Sequence, residues 1–103
     1  MSEIIVVVTL TPAPGKRDQL LEVCREYWPG IQQEPGCGLL ALHEGPETFV
    51  VIERWASRSL WDQHLATPEN RALNDALSPL LGEPAQVWPV VPVPLGLASK
   101  SKL

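Results

Sequence analysis

Phe49-Val50-Val51-Ile52-Glu53-Arg54-Trp55 is the stretch on which the fold turns. Its aromatic and β-branched residues, preceded by turn formers, read as a strand. Side chains alternate across a strand, so Phe49, Val51, Glu53 and Trp55 share one face and Val50, Ile52 and Arg54 the other. Both faces are mainly apolar, and each needs a cover. Glu53 stands out, because a carboxylate among apolar neighbours is costly to bury without a partner. The segment that opens at Ser57 is placed to set His64 over that same face. Glu53, Trp55 and His64 are therefore the first candidates for a working pocket.

The strand starts at Thr48, and Glu44-Gly45-Pro46-Glu47 joins it by a hairpin-type loop to a partner strand over Cys37 to His43. Ile4 to Thr11 is a β-branched run and the first strand, closed by the turn Pro12-Ala13-Pro14-Gly15. From Lys16 to Gln33, Leu20, Leu21, Cys24, Tyr27, Trp28 and Ile31 recur at helical spacing. Pro29 is expected to kink or thin the last turns of this helix, and Glu34-Pro35-Gly36 ends it. Ser57 reads as the N-cap of a short helix to about Ala66. Thr67-Pro68 then reads as an N-cap with a proline at N1, restarting a helix through Leu81. The last strand spans Ala85 to Val93, and Pro89 and Pro92 place it at a sheet edge. Residues 1–94 form one domain, and 95–103 a flexible tail.

The order is β-α-β-β-α-β, an α+β, ferredoxin-like protomer with an antiparallel sheet and its helices on one face. Those helices leave the other face bare, yet Ile4 to Val8, Phe49 to Ile52 and Val87 to Val93 are apolar on both sides. A bare patch of that composition exceeds what monomers carry. A second copy is the simplest cover, so the sequence predicts a homodimer packed sheet to sheet. The proline-rich last strand is placed to reach the partner.

A chain of 103 residues is one domain. Its net charge of -4, with no Lys/Arg cluster, offers no footprint for nucleic acid. The apolar run Ile4 to Val8 is too short to span a bilayer, so no membrane partner is expected. Met1-Ser2-Glu3 lacks the positive start of a secretory leader, which points to the cytoplasm. Cys24 and Cys37 are then expected as reduced thiols, Cys24 on the core stripe of the first helix. The terminal Ser101-Lys102-Leu103 matches a peroxisomal address and is read as a chance match. Two histidines without His-x-His or Cys-x-x-Cys spacing make no metal-ligand set. No Gly-rich nucleotide loop is present, and no cofactor is expected.

The pieces suit acid–base chemistry on an aromatic substrate. His64 is the proton carrier near neutral pH and Glu53 the group expected to fix its tautomer. Trp55, Trp61 and Phe49 offer flat apolar surface for substrate, and His43 on the second strand is a further binding candidate. Each has a plainer reading: Trp55 as core, Glu53 paired with Arg54 or Arg58, His64 as a buried structural histidine, His43 as a solvated strand end.

Taken in order, Glu34-Pro35-Gly36-Cys37, then Phe49…Glu53-Arg54-Trp55, then His64-Leu65-Ala66-Thr67-Pro68 resemble the antibiotic biosynthesis monooxygenase domain over roughly residues 3–93. These are small dimeric α+β-barrel proteins that include quinol monooxygenases. The resemblance implies a dimeric barrel with a pocket between sheet and helices, lined by Glu53, Trp55 and His64. It also implies cofactor-independent oxidation of a phenolic, quinol or polycyclic aromatic substrate with dioxygen. Heme-degrading relatives set an Asn on the first strand, and Ile4 to Thr11 has none. The alternative is a non-catalytic small-molecule binder or a structural dimer built on the same cleft.

Overall fold

A computed structural model of the chain describes residues 3–103; Met1 and Ser2, on which the leader reading partly rests, lie outside them. The elements follow as β1 (Ile4–Leu10), α1 (Arg17–Gln32), β2 (Cys37–Glu44), β3 (Phe49–Trp55), α2 (Arg58–Leu65), α3 (Pro68–Leu77) and β4 (Gln86–Val90). Short 3-10 turns occupy Ser78–Leu80 and Ala98–Lys100. The strands form one antiparallel sheet in the order β2-β3-β1-β4. This is the ferredoxin-like α+β arrangement, and the proline-bearing β4 sits at its edge as its missing donors require.

Register assigns the faces. Val6 and Leu40 flank Glu53, Val8 and Leu42 flank Val51, and Leu10 and Glu44 flank Phe49. The side bearing Val6, Leu10, Leu40, Phe49, Val51, Glu53 and Trp55 is the buried one. The helices close it with Leu20, Cys24 and Ile31 from α1, Trp61 from α2, and Leu73 and Leu77 from α3. Val7, Ile52 and Trp88 lie on the outer side, where Trp88 and Val90 of β4 are 45% and 44% exposed. A bulge between Cys37 and Leu39 lets both Cys37 and Leu40 pair with helix-facing positions, Trp55 and Glu53.

The two later helices start where the sequence places them. Ser57 is extended (φ −158°, ψ 162°) and its Oγ accepts from the Leu60 N–H at 3.2 Å. Thr67 Oγ1 accepts from the Asn70 N–H at 3.1 Å, with Pro68 as the first helical residue. Both are side-chain caps of the expected kind. α3 ends at Leu77 and tightens into the 3-10 turn, short of the expected Leu81. Pro79 accounts for the break in the ladder: Ser78 stays α (φ −51°, ψ −48°), but Pro79 brings no N–H to continue it. In α1 the helix runs three residues past Pro29 to Gln32. Pro29 and Gly30 both face solvent there, so the lost backbone bond leaves no buried carbonyl beneath them.

The ends of β1 and α3 are sewn together. Ala13 N–H donates to Leu80 O and Gly82 N–H to Thr11 O, both at 2.8 Å, around a bridge between Pro12 and Leu81. That stitch ties the segment after α3 to the end of β1. No helix of the described residues is long and apolar enough to cross a membrane.

Candidate functional site

β3 carries the site because its alternation points Glu53 and Trp55 at the helices, leaving them 7% and 0% exposed. Two residues apart on one face, they are within reach of each other. The Trp55 indole Nε1–H donates to Glu53 Oε1 at 2.8 Å. α2 lays His64 over the indole, with ring centroids 4.6 Å apart and planes inclined by 25°. This offset stack fixes the imidazole plane.

The partner of His64 is not the expected Glu53 but Glu34, whose Oε1 lies 2.9 Å from Nδ1. Glu53 instead accepts from the indole through Oε1. Glu34 arrives through the turn that ends α1. Its N–H donates to Ile31 O at 3.0 Å and its carbonyl accepts from Cys37 N–H at 3.1 Å. Gly36 takes a left-handed φ of +83°, open to glycine at no steric cost, and its carbonyl accepts from Ala56 N–H at 2.8 Å. The turn is thereby tied to the end of β3 and packed under Leu60 of α2. Glu34 Oε2 is buried with no hydrogen-bond partner among the described residues.

Beneath α2 and α3 lies a cavity of about 120 Å³. Aliphatic side chains make most of its wall, with Trp28 and Trp61 as aromatic surface and Glu53, His64 and Asn70 as buried polar groups. Burial raises the Glu53 pKa above its ordinary 4.5; the indole hydrogen bond and His64 oppose the rise, and the charge of Glu34 adds to it. Cys24, in the core, is pushed up to about 11 by burial, as far from a reactive thiolate as its packing role suggests. Among the described residues no three His, Cys, Asp or Glu side chains gather as a metal-binding group.

Of the residues named from sequence, Glu53, His64 and Trp61 line the cavity together. Trp55 is not in its wall but lies behind His64, holding both polar groups in place. Phe49 is core, 3% exposed, with the Arg17 guanidinium 5.2 Å above its ring, and does not reach the cavity. His43 is exposed and pairs with Val50 on the outer side of the sheet, away from the other candidates. Strand parity accounts for this separation: His43 follows Leu42, which faces the helices. Glu34, Trp28 and Asn70 were not singled out from sequence. The signal for Glu34 was present in Glu34-Pro35-Gly36, which reads as a helix terminator but also delivers a carboxylate to a fixed turn.

Glu53 gives the site a direct stability test. A carboxyl with a raised pKa holds its proton more tightly folded than unfolded. Its contribution is therefore full below 4.5 and is lost as pH rises through the raised value. Glu53→Ala strands the Trp55 N–H and is expected to destabilise the fold by about 1–3 kcal/mol, most at the acid end. Glu53→Gln keeps an acceptor for the indole and cannot ionise, so its stability relative to wild type should rise with pH. Glu47→Ala, in the exposed hairpin loop, should stay within about 0.5 kcal/mol. Urea melts across the pH range check all three, and a flat Glu53→Gln difference would show Glu53 to be solvated.

The family model for antibiotic biosynthesis monooxygenase matches residues 3–76. Among solved structures, Rv0793 from Mycobacterium tuberculosis is 26% identical with a TM-score of 0.83, covering 94% of this chain and 99% of that one. A structure described as antibiotic biosynthesis monooxygenase is 28% identical with a TM-score of 0.82, covering 88% and 99%. The uncharacterized protein sll1783 from Synechocystis is 24% identical over 87 residues. That match takes in 82% of this chain, which spans 59% of the relative's length.

Proposed function

The chain belongs to the antibiotic biosynthesis monooxygenase family, and from that premise and its pocket we propose a cofactor-independent monooxygenase acting on a small phenol or quinol with dioxygen. The observation that carries this reading is His64 lining an apolar cavity, with Nδ1 held by a carboxylate and Nε2 without a partner among the described residues. A histidine so held is a proton acceptor at Nε2. Removing a phenolic proton leaves an electron-rich phenolate, which can give electrons to dioxygen. A carbon–oxygen bond then forms, the oxygen–oxygen bond breaks, and the outer oxygen leaves as water with the proton His64 returns. Quinol plus dioxygen gives hydroxyquinone plus water, with the substrate as the only reductant.

Cavity size argues against polycyclic substrates. An apolar cavity of roughly 150 Å³ holds benzene, and this one is about 120 Å³. Glu53 lines the same wall, and its second oxygen accepts no hydrogen bond among the described residues, so it is free for a substrate hydroxyl. Oxygen uptake over a panel from hydroquinone to anthrone, run beside thermal-shift binding, tests the reading. Uptake with the single-ring quinols is expected. Thermal stabilisation by the same compounds without uptake would instead mark a small-molecule binder.

The reading includes a homodimer. The helices cover one side of the sheet, and Trp88 and Val90 on the other are nearly half exposed beside Val7 and Ile52. A face of this composition is covered most simply by its own copy. Sedimentation velocity at micromolar concentration should give twice the mass of the chain; a stable monomer would contradict it.

A further inference from the structure

We propose that Glu34 is the positioning residue of His64, keeping its hydrogen on Nδ1 and its free lone pair on Nε2 toward the cavity. A carboxylate can only accept, so the 2.9 Å contact to Glu34 Oε1 requires the hydrogen on Nδ1. Trp55 stacks on the face of the ring and competes for neither nitrogen. Glu34 suits the task because it has nothing else to hold. Its Oε2 is buried without a partner, its side chain is 16% exposed, and both backbone polar groups are locked in the turn. When His64 takes a proton, the facing carboxylate stabilises the resulting imidazolium, the service a buried acid gives the histidine of a catalytic triad. The effect on rate rests on the acid–base reading of His64; the tautomer does not.

The chain has only two histidines, and exposed His43 serves as an internal reference in long-range ¹⁵N–¹H spectra. Neutral His64 in the wild type should show its hydrogen on Nδ1. In Glu34→Gln, the unpartnered position already accommodates an oxygen, so the amide oxygen should stay there and the NH₂ should face Nδ1. The hydrogen then moves to Nε2, and Glu34→Ala should show the same tautomer by loss of any partner. With a quinol that supports turnover, Glu34→Gln should lower kcat by on the order of 10²-fold or more with little change in KM. A wild-type hydrogen on Nε2, or one tautomer in all three proteins, would overturn the assignment. A tautomer switch in a protein that consumes no oxygen would uphold Glu34 and sink the monooxygenase reading alone.

Discussion

Trp55→Ala is expected to remove about 3–5 kcal/mol of stability, the range for emptying a buried aromatic site. Trp55 is fully buried and among the largest such side chains in the protein. Its loss would open a void between β3 and α2, release the His64 ring and leave Glu53 Oε1 without its donor. Against the roughly 5–15 kcal/mol typical of a whole domain, that is a large share of the total. Trp55→Phe keeps one aromatic ring but loses the N–H and part of the indole volume. Its deficit should be smaller than that of Trp55→Ala, with about 1–3 kcal/mol of it from the Glu53 oxygen left without its donor. Urea denaturation followed by the remaining tryptophans separates the two variants. A Trp55→Ala loss below 1 kcal/mol would mean that the site does not rest on this residue.

The second large effect is expected at Gly36. A Cβ there would stand 2.5 Å from Leu60 Cδ1 and 2.9 Å from its Cβ, on a backbone with φ of +83°. The left-handed conformation costs a residue with a side chain about 1–2 kcal/mol, and overpacking adds roughly 1–3. Gly36→Ala should therefore destabilise by about 2–5 kcal/mol. Gly15 separates the two causes: its φ is +79°, but a Cβ there meets nothing within 4 Å. Gly15→Ala should show the backbone cost alone, about 1–2 kcal/mol. Equal losses at the two glycines would show that Leu60 yields freely and does not clamp the turn carrying Glu34.

These effects fall where local pattern and long-range geometry meet. Alternation along Phe49 to Trp55 was enough to place Glu53 beside Trp55 on the buried face, and the indole was among its foreseeable donors. Ser57 and Thr67 announced their helices because capping is a local event over three residues. The Glu34–His64 contact was not legible in the same way. It joins residues 30 apart, and depends on how a left-handed turn docks under α2. A strong apolar pattern fixes which face of a helix is buried, not where along the sheet its polar residue lands. Phe49 shows the same limit from the other side: parity put it on the correct face, but its place along β3 carries it past the cavity to Arg17.

Oxygen consumption by wild type and His64→Ala, on the quinol the wild type turns over fastest, tests the central claim most directly. General acid–base groups contribute about 10²–10⁴-fold, so His64→Ala should fall by at least that lower figure while remaining folded. Equal rates in the two proteins would contradict the assignment of His64 as the proton carrier.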